Sequence, residues 1–186
     1  MTTSGGGMLV SEDKGLTEKI RFWATQARDS EVFYEHSEMG YNYRMSNILA
    51  AIGRGQLAVL PERIKQKRSV FSYYHEKLAQ LPGVSFMPEA SFGKSTRWLT
   101  CIVIDPVLAG IHRDRLIDAL EEEDIESRPV WKPMHMQPLF RGCKAIGGKV
   151  SRQLFEHGVC LPSGSALTTD ELARIVHIIK NCFSCQ

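Results

Sequence analysis

Apolar residues return at three- and four-residue steps along several stretches of the chain. Leu16, Ile20, Trp23 and Ala24 mark one face of a first helix. It opens at Ser11-Glu12-Asp13, where acid suits the positive end of the helix dipole, and closes at Arg28-Asp29-Ser30. Met45, Ile48, Leu49 and Ile52 mark a second helix, with Ser46 as its N-cap. Beyond Leu60-Pro61 comes a charge-dense run, residues 62–68, followed by Val70, Phe71, Tyr74, Leu78 and Leu81 at helical spacing. This predicts one long helix, bent at Pro61 and reaching Gln80, that Leu81-Pro82-Gly83 stops. Ala50, Ala51, Gly53 and Gly55 keep its first half thin. Two glycines in a helix cost roughly 1 kcal/mol each against alanine, so a close neighbour is expected there, at a helix or subunit interface.

The remainder reads as a compact α/β unit. Strands are predicted over 84–87 and 97–104, the second ended by Asp105-Pro106. A helix over 113–122 turns Leu116, Ile117 and Leu120 inward. Residues 125–130 form an edge strand, because Pro129 has no N–H to give a central ladder. A helix ending near His157 leads into a short strand at Val159-Cys160-Leu161. Thr168-Thr169-Asp170-Glu171 is a capping box for a closing helix carrying Leu172, Ile175, Val176 and Ile179. At the other end, Gly5-Gly6-Gly7 leads into a short strand at Met8-Leu9-Val10. The seam between two domains is expected between Pro61 and Arg68.

The 186 residues match one ordinary domain or slightly more, and 43% apolar with 24% charged residues is ordinary for a globular protein. A net charge of +2 gives no argument for nucleic acid or an acidic membrane surface. No apolar run approaches the roughly 20 residues that span a bilayer, and the N-terminus lacks the pattern of a signal peptide. Five scattered cysteines point to a reducing cytoplasm and away from a disulfide framework. Cys182-Phe183-Ser184-Cys185 is a CxxC without the second ligand pair a zinc site needs. The glycine run is not followed by the Lys-Ser/Thr of a P-loop. The basic run at 62–68 and the acidic run Glu121-Glu122-Glu123-Asp124 read as solvated helix faces, and His177 as a structural residue beside the closing helix's apolar face.

Two stretches carry candidate chemistry. In Gly40-Tyr41-Asn42-Tyr43-Arg44-Met45-Ser46, an amide and a guanidinium precede a helix N-terminus, which makes an anion cradle. In Arg128-Pro129-Val130-Trp131-Lys132-Pro133-Met134-His135, three kinds of cationic side chain and an indole fall within eight residues of a proline-stiffened loop. That mixture suits a nucleotide diphosphate, with cations for the phosphates and a flat ring for base or sugar; the alternative is a rigid loop that packs its Trp and Met side chains into the core. His36, in the loop before the first stretch, is either a substrate-side contact or a solvated residue.

The string from Gly40 through Ile48, continued by Ala50-Ala51-Ile52-Gly53-Arg54-Gly55-Gln56-Leu57, resembles the hallmark of the DegT/DnrJ/EryC1/StrS family of pyridoxal-phosphate sugar aminotransferases. Trp131-Lys132-Pro133-Met134-His135 resembles the substrate-side loop of that family's sugar-nucleotide C4 aminotransferases, and Leu161-Pro162-Ser163-Gly164 is similar to another family segment. The resemblance implies the C-terminal part of a type I (aspartate) aminotransferase fold. Residues 1–62 would be the incomplete end of the large cofactor-binding domain and residues 63–186 the small α/β domain, joined by the long helix.

The resemblance implies roles residue by residue. Asn42 matches an asparagine that reaches across a homodimer to the neighbour's cofactor phosphate. Arg44 matches a residue near the neighbour's substrate phosphates, and Trp131, Lys132 and His135 sit in the loop that faces the sugar nucleotide. The implied reaction moves the amine of an amino acid donor, glutamate, through pyridoxal phosphate to a nucleotide-linked 4-keto-6-deoxy sugar for surface polysaccharide. The family's cofactor-anchoring lysine falls just upstream of Met1, so no catalytic residue is assigned and the chain by itself is expected to be inactive. Two further readings stay open: a dehydratase of the same family, with histidine in place of that lysine, and a non-catalytic interaction module. Residues 1–60 are expected to expose apolar surface and to self-associate.

Overall fold

The computed structural model describes residues 1–184, so Cys185 of the CxxC lies outside the described residues. The chain divides into two units, Met1–Pro61 and Glu62–Gln186.

In the first unit, helix α1 (Lys14–Ala24) is capped by Asp13, whose carboxylate accepts from the Leu16 N–H at 3.0 Å. It ends at Ala24, four residues before the expected Arg28-Asp29-Ser30, because residues after it turn back through positive φ at Gln26 (70°) and Ala27 (49°). The segment Tyr41–Tyr43 then docks on the helix's C-terminal end: the Tyr41 N–H donates to the Trp23 carbonyl at 2.7 Å and the Tyr43 N–H to the Ala24 carbonyl at 3.0 Å. These bonds satisfy carbonyls that the helix end leaves open. Gly40 is required by that docking, since a Cβ there would lie 2.2 Å from the Ala27 nitrogen. The loop's outer turn is tied by Glu38, which pairs with Lys19 and accepts from the Trp23 indole N–H at 2.8 Å. Both bonds hold its carboxyl below the usual range.

Helix α2 (Asn47–Leu78) runs unbroken through Pro61. Ser46 caps it, its hydroxyl accepting from the Leu49 N–H at 3.3 Å. The expected strand at Met8-Leu9-Val10 does not form. The backbone there is irregular and its side chains are exposed, because no neighbouring strand among the described residues supplies a ladder. The segment is instead anchored at Thr2, whose N–H and carbonyl both bond the Gln56 side-chain amide, at 2.6 and 2.5 Å. Against Gly53 lies this same segment and not the helix expected there. Thr3 comes within 3.0 Å of where a Gly53 Cβ would sit, whereas Gly55 faces open space. Met8, Val10, Ile48 and Leu57 are exposed, as expected for residues 1–60.

The second unit is built on a four-stranded antiparallel sheet of order β1-β2-β4-β3, with β1 Val84–Phe86, β2 Thr100–Ile104, β3 Arg128–Pro129 and β4 Gly158–Leu161. The first predicted strand is right to within a residue. The second starts at Thr100 and not Arg97, because Arg97 takes a positive φ of 51°. The third pairs over only two residues, and it is an edge strand as Pro129 requires. β4 is buried on every residue and β2 on alternate ones. Around them pack α2's Val70, Tyr74 and Leu78, α3 (Pro106–Ala109), α4 (Arg113–Glu121) through Leu116 and Leu120, and α6 (Thr169–Ser184) through Leu172, Ile175, Val176 and Ile179. The capping box forms as expected, with the Thr168 N–H donating to Glu171 at 2.7 Å and the Glu171 N–H to the Thr168 hydroxyl at 3.3 Å. α5 (Lys149–His157) contacts β2, β3 and β4. The long loop between β3 and α5 holds two 3-10 turns, Met134–Met136 and Pro138–Phe140.

Candidate functional site

Within the first unit, Asn42 and Arg44 both line a cleft of about 1140 Å³ whose other walls include Gly6 and Gly7 and the α1 residues Thr17 and Arg21. The two candidates therefore come together, and two features absent from the expectation join them: a second guanidinium, Arg21, and the glycine run. No Asp or Glu is among the described residues that line it. The local fold explains the placement. Asn42 forms an antiparallel bridge with Thr25, so its backbone is fixed against the end of α1. Arg44 follows two residues later, just before the Ser46 cap of α2. Tyr41 and Tyr43, on either side of Asn42, stack with ring centroids 5.1 Å apart and planes 14° apart.

Two arginines, a primary amide and glycine backbone form a donor set without a competing carboxylate, and that chemistry fits a phosphate. Arg21 was findable: Thr17, Ile20, Arg21 and Ala24 share one helical face by spacing alone. His36 is exposed, as a solvated loop residue would be. Its Nδ1 lies 2.9 Å from the Gln26 carbonyl, a bond that helps shape the loop.

In the second unit, Trp131, Lys132 and His135 take different environments. Trp131 is exposed and stacks on Trp98, ring centroids 5.9 Å apart with planes 26° apart. The loop does not pack this indole into the core. Lys132 is exposed, with its ammonium 6.0 Å from the centre of the Phe155 ring, and Arg113 lies over the same ring at 4.8 Å. His135 is half-buried, its ring lying over Gly148, the left-handed residue (φ 91°) that starts α5; a Cβ there would come within 2.7 Å of the ring. Glycine is needed at this contact on both counts. Arg128 does not converge with these residues, because it forms an ion pair with Glu126 on its own strand approach. Trp98, Arg113 and Phe155 were missed. Each comes from a separate element, and no spacing along the chain brings them beside the loop.

Several other polar groups of this unit pair with one another. The Arg68 guanidinium takes Glu89 in two bonds at 2.7 and 3.1 Å, and the Ser95 N–H donates to the same carboxylate; together they hold Glu89 down at about 2. Glu123, of the acidic run, pairs with Arg174 at 2.7 Å. His177 is exposed and bonds Asn181 at 3.1 Å. No group of three or more metal-ligating side chains occurs among the described residues, and no helix among them is long and apolar enough to cross a membrane.

Comparisons with known proteins agree on one family. A Bacillus subtilis (strain 168) protein, EpsN, provisionally named a pyridoxal phosphate-dependent aminotransferase, is 48% identical over 187 residues, which cover 98% of this chain and 47% of that protein. The GDP-perosamine synthase of Vibrio cholerae is 35% identical over 186 residues, covering 100% of this chain and 50% of its own length. Among solved structures, DesI, crystallised in the presence of its TDP-sugar product, superposes with a TM-score of 0.80 at 28% identity over 95% of this chain and 45% of its own. The aminotransferase TlmJ from Streptoalloteichus hindustanus shares the fold, with a TM-score of 0.84 at 21% identity over 98% of this chain and 48% of its own. The chain thus spans about half the length of the curated relatives it matches, and its α/β architecture is that of the C-terminal part of the type I aminotransferase fold. The sequence model of the DegT/DnrJ/EryC1/StrS aminotransferase family matches residues 1–180, and the chain belongs to that family.

Proposed function

We propose that this chain supplies the anion-holding and substrate-facing half of a pyridoxal phosphate-dependent aminotransferase that acts on a nucleotide-linked sugar. The observation that carries the reading is the cleft that Asn42, Arg44 and Arg21 line together with Gly6 and Gly7, with no carboxylate among the described residues of its walls. A phosphate needs several donors held at fixed positions, and charge-assisted bonds from guanidinium are the strong ones. In this reading Asn42 donates to the cofactor phosphate of an adjoining protomer, and Arg44 steadies the phosphates of the sugar nucleotide. The bound cofactor supplies the electron sink for transfer of the amine; these residues bind and orient.

Trp131, Lys132 and His135 form the substrate side of the proposal. The exposed Trp131 ring is a flat surface for base or sugar, and the exposed Lys132 is a cation for the diphosphate. His135 packs its ring against Gly148, which fixes it beside the start of α5. The substrate proposed is a 4-keto-6-deoxy sugar linked to a nucleoside diphosphate, with glutamate as amino donor, in the making of a surface glycan. The names of relatives support this class: one is a GDP-perosamine synthase, and another is a UDP-4-amino-4,6-dideoxy-N-acetyl-beta-L-altrosamine transaminase. Residues 1–62 are proposed as the end of the large domain and 63–186 as the small domain.

The test pairs this chain with the complementary half of the Bacillus subtilis relative and follows glutamate-dependent amination of keto-sugar nucleotides. Amination that falls on Asn42→Ala and on Arg44→Ala supports the reading. Amination indifferent to both changes removes the phosphate-holding role from this cleft.

A further inference from the structure

The sheet of the second unit brings two thiols face to face. Cys101 on β2 and Cys160 on β4 are direct register partners in the antiparallel ladder, and their sulfurs lie 3.6 Å apart. Both are free of disulfide linkage. Neither belongs to the candidate site, and neither packs into the main apolar cluster. Cys160 is buried and Cys101 is half-buried, which leaves one open side from which a small solute reaches the pair.

We infer that Cys101 and Cys160 are a modification site, a cross-strand thiol pair that a peroxide of small size converts reversibly to a disulfide. Directly opposed residues of an antiparallel pair have Cβ atoms about 4.5–5.5 Å apart, closer at non-hydrogen-bonded positions, and a disulfide spans Cβ atoms roughly 3.5–4.5 Å apart. A small inward shift of two side chains closes the gap, with no change of strand register.

The pair also activates itself. A thiolate at Cys160 accepts the Cys101 S–H, and this contact pulls the Cys160 thiol below its ordinary value. The same contact, with burial, pushes the Cys101 thiol up. A thiolate on either sulfur is held by its neighbour's S–H, and Cys160 is assigned as the nucleophile. Its thiolate attacks one oxygen of hydrogen peroxide, the O–O bond breaks, and the leaving hydroxide takes a proton to become water. The Cys101 sulfur then attacks the sulfenic sulfur of Cys160. The S–O bond breaks, and a second water leaves with the Cys101 proton. The two thiols give up two electrons and the peroxide takes them. An external dithiol reverses the link by exchange.

Position gives the link a consequence. Cys160 is also the register partner of Arg128 on β3, three residues before Trp131, and Cys101 lies three residues after Trp98. The cross-link would tie β2, the strand that follows Trp98, to β4, the strand on which the Trp131-bearing segment pairs.

The experiment treats the whole chain with hydrogen peroxide, alkylates with iodoacetamide and maps each cysteine by mass spectrometry. The expected result is joint loss of labelling at Cys101 and Cys160, a peptide pair linked through these two residues, and return of both labels after dithiothreitol. The rate should climb with pH as a thiol of the pair ionises. A Cys143→Ser chain should behave identically, since Cys143 is exposed and lies outside the pair. In a Cys101→Ser chain, Cys160 should stop at a sulfenic acid that dimedone traps. The inference is overturned if Cys160 is carried to sulfinic acid while Cys101 still alkylates. It is equally overturned if both remain labelled, or if the linked peptides join Cys143 or separate chains.

Discussion

The phenol of Tyr74, fully buried on α2, donates its O–H to the carbonyl of Pro162 at 2.9 Å, across 88 residues of sequence. Burial pushes the phenol's ionisation up, so it stays a donor throughout the accessible pH range. Beside it the Lys67 ammonium donates to the carbonyl of Ser163, and the Ser163 hydroxyl accepts from the Thr100 N–H at 2.8 Å. Three elements thus meet at the turn after β4. Tyr74→Phe keeps the packing and leaves the Pro162 carbonyl without its partner. A loss of about 1–3 kcal/mol in unfolding free energy is expected, read from urea denaturation.

Gly40 is the position where the anion-facing loop is least tolerant. Gly40→Ala would place a methyl group 2.2 Å from both the Ala27 nitrogen and the Gln26 carbonyl carbon. Backbone and not a flexible side chain is in the way, so the loop must move, at a cost of about 1–3 kcal/mol. The expected readout is faster hydrogen exchange at the Tyr41 and Tyr43 amides, whose bonds to α1 hold the loop. Unchanged exchange at both would contradict the packing described.

Much of this architecture is readable from residue order alone. α2 follows from its apolar spacing because a helix face is a local repeat, and the α6 capping box from four consecutive residues. The family likeness rests on strings that are equally local. The cleft is only half legible. Asn42 and Arg44 stand in a recognisable string, but Gly40 owes its importance to left-handed backbone at Gln26 and Ala27, two residue types that carry no such signal. Trp98 reads as part of a strand until the positive φ at Arg97 takes it out of the ladder and lets it reach Trp131. The missing strand at residues 8–10 has the same root: a strand is defined by its partner, and local sequence does not reveal one.

Arg44→Ala should weaken binding of inorganic pyrophosphate to the cleft. A charge-assisted hydrogen bond is worth about 1.5–3 kcal/mol, so the affinity falls roughly tenfold to a hundredfold. Arg21→Ala should act in the same direction, and raised salt should shrink both effects. Isothermal titration of the chain with pyrophosphate provides the measurement.

Acid should act through Glu89. Its carboxyl titrates at about 2 when folded against 4.5 ordinarily, chiefly because Arg68 bonds its charged form. A depressed folded value means the stabilisation is complete above the ordinary value and drains away as pH falls from about 4.5 towards 2. Glu89→Gln should therefore lower the melting temperature near neutrality and flatten its dependence on pH over that window. Equal slopes in the two proteins would remove Glu89 from the account.

The stacked indoles offer an optical test. Trp98→Ala removes one ring of the pair, an interaction worth about 0.5–1.5 kcal/mol. Trp131 should then emit at longer wavelength and be quenched more readily by iodide. If its emission does not move, the stack does not hold the Trp131 ring.

The shortness of β3 bears on how this sheet behaves in crowded solution. A chain of strands grows into a fibril only where its rim presents a regular row of donors and acceptors. Here that rim is two residues long, and one of them, Pro129, has no N–H to offer. A stray polypeptide meeting it finds a short template with one donor missing, which disfavours the growth of cross-β aggregates on this side.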